Sequence, residues 1–217
     1  MIQLSQRMAQ LLEPTGMSVA VAALRRYFAP RPVGEFSGAH FERLGGGGDR
    51  PGVAHEFTAE DLVAVATLAI NISGEAAIEI LETRRARLHE LLRTIPTDRA
   101  LADLTTEEVG PTWPVRDLYR ELISIDSIGE TSATKLLARE RPHLVPILDS
   151  VVTKELGIVK GNYWVPLHAW LSADQRAAHR RLDELRVAAG LGPEVSVLRV
   201  FDVLAWMTGK DFIRLTP

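Results

Sequence analysis

The chain has 217 residues, 46% of them hydrophobic, which is enough to bury one substantial core and perhaps a small additional lobe. Its formal net charge of −3 argues against a protein that coats nucleic acid non-specifically, because such binding requires many Lys and Arg contacts to phosphate. The absence of cysteine excludes disulfides and cysteine-ligated zinc or iron–sulfur sites. Since no apolar run approaches the roughly 18 residues that span a bilayer and no signal-peptide pattern is present, we expect a cytoplasmic protein without membrane contact.

Apolar residues recur at spacings of three and four along most of the chain, which is typical of helices that bury one face. Few segments alternate as β-strands do. We therefore predict an all-α fold. Thr58 with Asp61, and Ser172 with Gln175, have the spacing of residues that cap a helix start. The predicted helices cover residues 4–12, 17–28, 59–70, 75–93, 115–124, 131–140, 149–156, 173–189 and 196–207.

Proline and glycine concentrate in residues 29–57, which predicts a loop-rich connector. The glycine run at residues 45–48 lacks the Gly-Lys-Ser/Thr ending of a phosphate loop, so we interpret it as a flexible surface loop, with DNA contact as the alternative. The chain is then divided into N-terminal helices and connector at 1–57 and a helical domain at 58–217, which contains a helical hairpin at 115–140.

The hairpin is the most informative part of the sequence. Gly129 is expected to allow a tight turn between two helices with apolar inner faces. Backbone N–H groups at the start of the second helix could bind a phosphate without reading the base, and Lys135, one turn further on, could add a charged contact. An ordinary αα-hairpin without a ligand is the alternative.

The sequence Ile125-Asp126-Ser127-Ile128-Gly129-Glu130-Thr131-Ser132-Ala133 is followed, twenty residues after its glycine, by Asp149 in the phrase Pro146-Ile147-Leu148-Asp149. Over residues 115–157 this combination resembles the helix-hairpin-helix superfamily of DNA glycosylases. The resemblance implies that superfamily's helical fold, with an N-terminal extension here, and Asp149 as the catalytic residue. It also implies DNA contacts from Ser127, Ile128, Gly129, Thr131 and Lys135.

One aspartate is sufficient for this chemistry. Breaking an N-glycosidic bond builds positive charge on the deoxyribose, which a carboxylate can stabilise while it orients or deprotonates the attacking water. Asp149 could instead be the N-cap of the helix that follows it, and in the superfamily one aspartate can do both.

Three departures from the family pattern are informative. Asp126 and Ser127 replace the usual Pro and first Gly, so we expect a weaker phosphate grip. Thr131 stands where lyase-competent members have a lysine that attacks the sugar, so we expect a monofunctional enzyme that leaves an abasic site. Because it has no cysteine, the chain resembles the cluster-free branch, which implies no required cofactor.

The resemblance further implies a structural K⁺ or Na⁺ held by backbone carbonyls of Ile123, Ile125 and Ile128. The six histidines show no spacing with carboxylates that would build a zinc or iron site. They are His40, His55, His89, His143, His168 and His179.

A flipped base must be held between aromatic or apolar surfaces. Tyr163 and Trp164 belong to the densest aromatic segment and are assigned either to this pocket or to the core, whereas Trp170 and Trp206 are expected in the core. For a polar group near the base the candidates are Glu60, Asp61 and Asn71, each of which could instead cap a helix or face solvent.

We therefore predict a monomeric, monofunctional glycosylase that acts on double-stranded DNA with a flipped modified base. Its substrates would be alkylated, oxidised or mispaired bases in repair, or glucosylated hydroxymethylcytosine of phage DNA in antiviral defence. The alternatives are a non-catalytic helix-hairpin-helix DNA-binding module and a helical protein-interaction domain.

Overall fold

The predicted all-α class is confirmed by the computed structural model, which describes residues 2–30, 32–157 and 163–214. Within these ranges the chain forms helices, turns and loops and no β-strand. The α-helices are α1 (Gln6–Leu12), α2 (Met17–Tyr27), α3 (Ala59–Ala66), α4 (Gly74–Ile78), α5 (Arg85–Arg93), α6 (Pro114–Ile123), α7 (Glu130–Glu140), α8 (Ser150–Glu155), α9 (Trp164–Ala188) and α10 (Val197–Gly209).

Each predicted helix overlaps one in the structure, because the apolar period that predicts a helix is a local property. The predicted helix 75–93 is divided by a π-helical turn over Glu79–Thr83. Helix α9 begins at Trp164, earlier than predicted, and residues 173–176 interrupt it with non-helical backbone angles. Ser172 does not cap a helix, since its hydroxyl donates to the carbonyl of His168 at 2.7 Å.

The cap at the start of α3 is confirmed. The backbone N–H of Thr58 donates to Asp61 Oδ2 at 2.8 Å, and the Thr58 hydroxyl donates to the same oxygen at 2.7 Å. This arrangement fixes where the connector ends and where α3 begins.

The core is one continuous hydrophobic cluster built around α10, which is buried over most of its length. Helix α10 packs against α8, α9, α2 and α1. Met8, Leu11 and Leu24 of the N-terminal segment are fully buried in the same cluster. No helix in the described part of the chain is both long and apolar enough to cross a membrane.

Outside two short 3-10 turns the described residues of the connector are irregular, and two buried arginines at the end of α7 donate hydrogen bonds to its backbone carbonyls. Arg139 donates through Nη1 to the Phe41 carbonyl and through Nη2 to the Leu44 carbonyl. Arg141 donates to the Ala54 carbonyl at 2.8 Å. Buried backbone carbonyls need such donors, so these side chains hold the connector against the helices.

The glycine run is not a flexible surface loop throughout. Gly47 and Gly48 are buried. A Cβ atom added at Gly48 would lie 2.6 Å from the carbonyl oxygen of Arg139, so this position needs glycine because the two backbones approach closely.

Arg139 also forms an ion pair with Asp61, with Nε 2.8 Å from Oδ1 and both side chains almost fully buried. We expect Arg139→Met to lower the free energy of unfolding by about 3–5 kcal/mol, because it leaves the Asp61 carboxylate buried without its partner. Urea unfolding measures the change. The matched control is Arg87→Met, which removes an exposed pair with Glu90 and should cost at most about 1 kcal/mol. Equal losses in the two variants would contradict a structural role for the buried pair.

Candidate functional site

A cavity of about 500 Å³ brings together three of the residues predicted for the site: Thr131, Lys135 and Asp149. Its volume falls within the range of pockets that enclose small ligands. The rest of its wall comes from α2, the connector, the end of α3, α8 and α10: Tyr27, Glu35, Phe36, Ser37, Gly38, Thr67, Leu68, Ala69, Ile70, Ile147, Val152, Arg199, Asp202, Val203, Trp206 and Lys210.

Asp149 is the N-cap of α8 and also lines the cavity. Its Oδ1 accepts hydrogen bonds from the backbone N–H groups of Val151 at 2.9 Å and Val152 at 3.0 Å. Both bonds are made to Oδ1, so Oδ2 takes no part in the cap. The capping role left open by the sequence is therefore present, and it fixes the orientation of a carboxyl group that is half-buried in the cavity wall.

Lys135 lies inside the cavity wall and not on the outer surface of the hairpin. Its side chain is buried, and Nζ donates to the carbonyl of Leu68 at 2.9 Å. Burial lowers the pKa of Lys135, while the charges of Asp149 and Asp202 act in the opposite direction. In this position the ammonium group can contact a molecule bound in the cavity, whereas its contact with a backbone phosphate stays a prediction.

The prediction that the tight turn of the hairpin depends on Gly129 is wrong. Gly129 has extended backbone angles, φ −89° and ψ 177°, whereas Ser127 has a φ of 69°. The left-handed position that favours glycine is therefore Ser127. A Cβ atom at Gly129 would meet nothing within 4 Å, so this glycine leaves the approach to the start of α7 open.

The other hairpin residues divide by exposure. Ser127 is exposed and its hydroxyl lies 3.0 Å from that of Ser73, while the side chain of Ile128 is buried, which leaves only its backbone for a DNA contact. The carbonyl of Ile125 accepts the N–H of Ile128 at 3.1 Å. Cation binding by the carbonyls of Ile123, Ile125 and Ile128 stays a prediction. In the described residues, no group of three or more His, Asp or Glu side chains could hold a metal ion.

Tyr163 and Trp164 belong to the core and do not line the cavity. The ring centroid of Trp164 lies 5.4 Å from that of Trp113 and 5.5 Å from that of Tyr119, both edge-on. Trp164 is the first residue of α9 and Tyr163 is its N-cap, and both side chains are buried, so of the two alternatives the structure favours the core. The neighbouring Gly161 and Asn162, predicted in a loop, lie outside the described residues.

Asp61 is also absent from the cavity wall. It is fully buried in its ion pair with Arg139 and in the cap of α3, so both oxygens are already used. Its assignment to the base pocket is therefore wrong. Glu60 and Asn71 are exposed and lie outside the cavity wall.

The aromatic wall of the cavity consists of Tyr27, Phe36 and Trp206. The sequence predicts none of them for a base pocket, and Trp206 is expected in the core. Phe36 stacks on Tyr27 with centroids 5.0 Å apart and an interplanar angle of 13°. Trp206 lies edge-on to Tyr27 at 6.1 Å and to Phe36 at 5.8 Å. No local pattern joins these residues, because they come from α2, the connector and α10.

Arg199 organises the buried polar part of the wall. It donates to Asp202 Oδ2, to the Tyr27 hydroxyl and to the Gly38 carbonyl, each at 2.9 Å, and it forms an ion pair with Glu42. One guanidinium thus serves two buried carboxyl groups. Burial raises the pKa of Asp202 to about 7, with Arg199 opposing the shift and Glu42 reinforcing it.

This raised pKa makes a prediction about stability. The folded protein retains a proton on Asp202 at pH values where the unfolded chain, with an Asp pKa of about 3.9, has lost it. The stabilisation is therefore present at about pH 4 and is lost as pH rises towards 7. Between pH 5 and pH 7, wild type should lose stability relative to Asp202→Asn by at most about 1.4 kcal/mol per pH unit. Urea unfolding of both proteins at several pH values measures this, and a pH-independent difference would contradict it.

The left-handed backbone of Ser127 leads to a further prediction about stability. A left-handed conformation costs a side-chain-bearing residue about 1–2 kcal/mol, so Ser127→Gly should raise the free energy of unfolding by about 0.5–1 kcal/mol net. Ser132→Gly, inside α7, is the matched control and should lower it by a similar amount. Chemical denaturation of both variants checks this, and a Ser127→Gly protein no more stable than wild type would show that the turn is unstrained.

No curated protein and no solved structure matches the chain. Residues 20–209 match the model of a family of unknown function, DUF6308. The matched span includes most of α2 and all later helices, and with them nearly the whole cavity wall. The chain therefore belongs to this family of unknown function.

Proposed function

We propose that the protein is a monofunctional DNA glycosylase that holds a flipped base in the cavity and hydrolyses its N-glycosidic bond with Asp149. The observation that supports this most directly is the position of Asp149. Its carboxyl group lines a cavity whose wall also includes the first turns of the second hairpin helix, at Thr131 and Lys135. A DNA phosphate bound at the hairpin and a flipped base bound in the cavity would then lie close together.

The aromatic wall supports base binding. Enzymes that act on a base in a duplex rotate it out of the stack and hold it against aromatic or apolar side chains. The exposed part of Trp206 and the stacked pair Tyr27 and Phe36 offer such a surface. Lys135 and Asp202 add polar groups to this otherwise aromatic wall, and these groups suit a base with polar substituents.

The orientation of Asp149 supports the hydrolysis. The cap bonds use Oδ1. The other oxygen, Oδ2, can stabilise positive charge that develops on the sugar and can accept a proton from water. Thr131 has no amine with which to attack the sugar, so an abasic site is the expected product. The volume of about 500 Å³ is compatible with repair substrates and with a larger base such as glucosylated hydroxymethylcytosine.

A non-catalytic DNA-binding module is the second candidate, and the cap geometry is the observation that favours it. In that case Asp149 serves only to start α8. Asn is as good an N-cap as Asp, so Asp149→Asn keeps the cap and removes only the charge. This variant separates the two functions.

The experiment measures base release from duplex DNA that is unmodified, alkylated, oxidised, mispaired or glucosylated on hydroxymethylcytosine. Free bases are quantified by mass spectrometry and abasic sites by alkaline cleavage. We expect wild type to release a base from at least one substrate and Asp149→Asn to be slower by at least about 10²-fold, because the variant lacks the charge and the proton acceptor. Asp183→Asn, a partly exposed carboxylate on α9 outside the cavity wall, is the matched control and should retain full activity.

Two results would overturn parts of this proposal. DNA binding without base release, in wild type and variant alike, would favour the binding module. Strand cleavage without alkali would contradict monofunctional action and would point to attack by the amine of Lys135.

A further inference from the structure

We propose that Asp202 is a second catalytic carboxyl group, which donates a proton from Oδ1 to the departing base, and that the substrate is therefore an uncharged base. This inference rests on the proposed glycosylase function. It assigns Asp149 to the sugar and Asp202 to the base.

The geometry singles out one oxygen of Asp202. The residue is 3% exposed and lies in the cavity wall. Oδ2 accepts the hydrogen bond from Arg199, whereas Oδ1 is buried and has no hydrogen-bond partner within the described ranges. A buried polar atom without a partner is costly, and a proton on Oδ1 that is donated to a bound molecule would satisfy it.

The charges around Asp202 explain why a proton is retained there. Arg199 of the same helix and Lys135 of α7 are the cations that face it, and the carboxyl groups of Glu42, in the connector, and Asp149, before α8, face it as well. The neutral hydroxyl of Tyr27, on α2, completes the group. Two cations among three carboxyl groups leave one carboxyl without a counter-charge, and in a buried site this favours one bound proton. Burial raises the pKa of both Asp202 and Glu42, and of these two residues only Asp202 lines the cavity. The raised pKa of Asp202, about 7, agrees with this count and suits proton exchange near neutral pH.

The step conserves atoms and charge. The bond between C1′ and the base nitrogen breaks, and its electron pair passes to the base. The proton on Asp202 Oδ1 passes to a ring nitrogen or an exocyclic oxygen of the base, which leaves as a neutral molecule. Water bonds to C1′ and gives its proton to Asp149, and exchange with solvent restores both carboxyl groups.

The substrate class follows from the same chemistry. A base that is already cationic through N-alkylation leaves as a neutral molecule without an added proton, so it gains nothing from an acid. A neutral base with an acceptor atom on its edge needs the proton.

The test compares wild type and Asp202→Asn in single-turnover base release, from pH 5.5 to pH 9. The substrates are DNA with whichever neutral base the base-release experiment shows to be excised and DNA containing cationic 7-methylguanine. We expect wild type to prefer the neutral base and to lose rate as pH rises through about 7. We expect Asp202→Asn to be slower by about 10²-fold on the neutral base, to lack this alkaline decline, and to bind DNA as wild type does.

Glu42→Gln is the second variant, and it keeps the test decisive if Asp202→Asn unfolds. Because the charge of Glu42 raises the pKa of Asp202, its removal should move the alkaline decline to lower pH. A purely structural Asp202 would leave the position of the decline unchanged in this variant.

The outcomes separate the two proposals. Base release that depends on Asp149 but keeps its rate and pH profile in Asp202→Asn would overturn the role of Asp202 alone. A preference of wild type for 7-methylguanine would also overturn it. The absence of base release from every substrate would overturn the glycosylase function and this inference together.

Discussion

The structure depends on how the connector between α2 and α3 is buried. Its described residues form no α-helix or strand, so its carbonyls lack a continuous ladder of backbone donors, and buried carbonyls without donors are costly. Arg139, Arg141 and Arg199 provide these donors from α7 and α10. Each guanidinium satisfies several acceptors at once, which a lysine could not do with the same geometry. The buried arginines thus accompany the packing of an irregular segment. One of them, Arg199, also lines the cavity.

Helix α7 couples the hairpin to the cavity and the connector. Thr131, Lys135 and Arg139 follow at intervals of four residues, so they lie along one face of the helix. The first two line the cavity and the third holds the connector. A change in the hairpin turn would therefore reach the cavity through a rigid element. The start of α7 and the Asp149 carboxyl group therefore line the same cavity.

The sequence predicts the features that depend on neighbours in the chain. The helices follow from local apolar period, and the capping role of Asp149 follows from its position before α8. Its catalytic role stays a prediction. The Tyr27 hydroxyl meets Arg199 across 172 residues of sequence, and no local pattern indicates that contact. For the same reason Asp61 was misassigned, because its partner Arg139 lies 78 residues away. The site is thus predictable where it is local and not where long-range packing builds its wall.

The cavity places two carboxyl groups in contrasting surroundings, and this contrast is what an acid and a base require. Asp149 is half-buried at a helix start, where two backbone N–H groups donate to its Oδ1. Asp202 is buried and lies near the Glu42 carboxyl group, and both effects raise its pKa, whereas the ion pair with Arg199 opposes the shift. Arg199 also donates to the connector carbonyl of Gly38, so its guanidinium is divided between Asp202, Glu42 and the connector. The packing of the connector thus contributes to the surroundings in which we propose that Asp202 donates a proton.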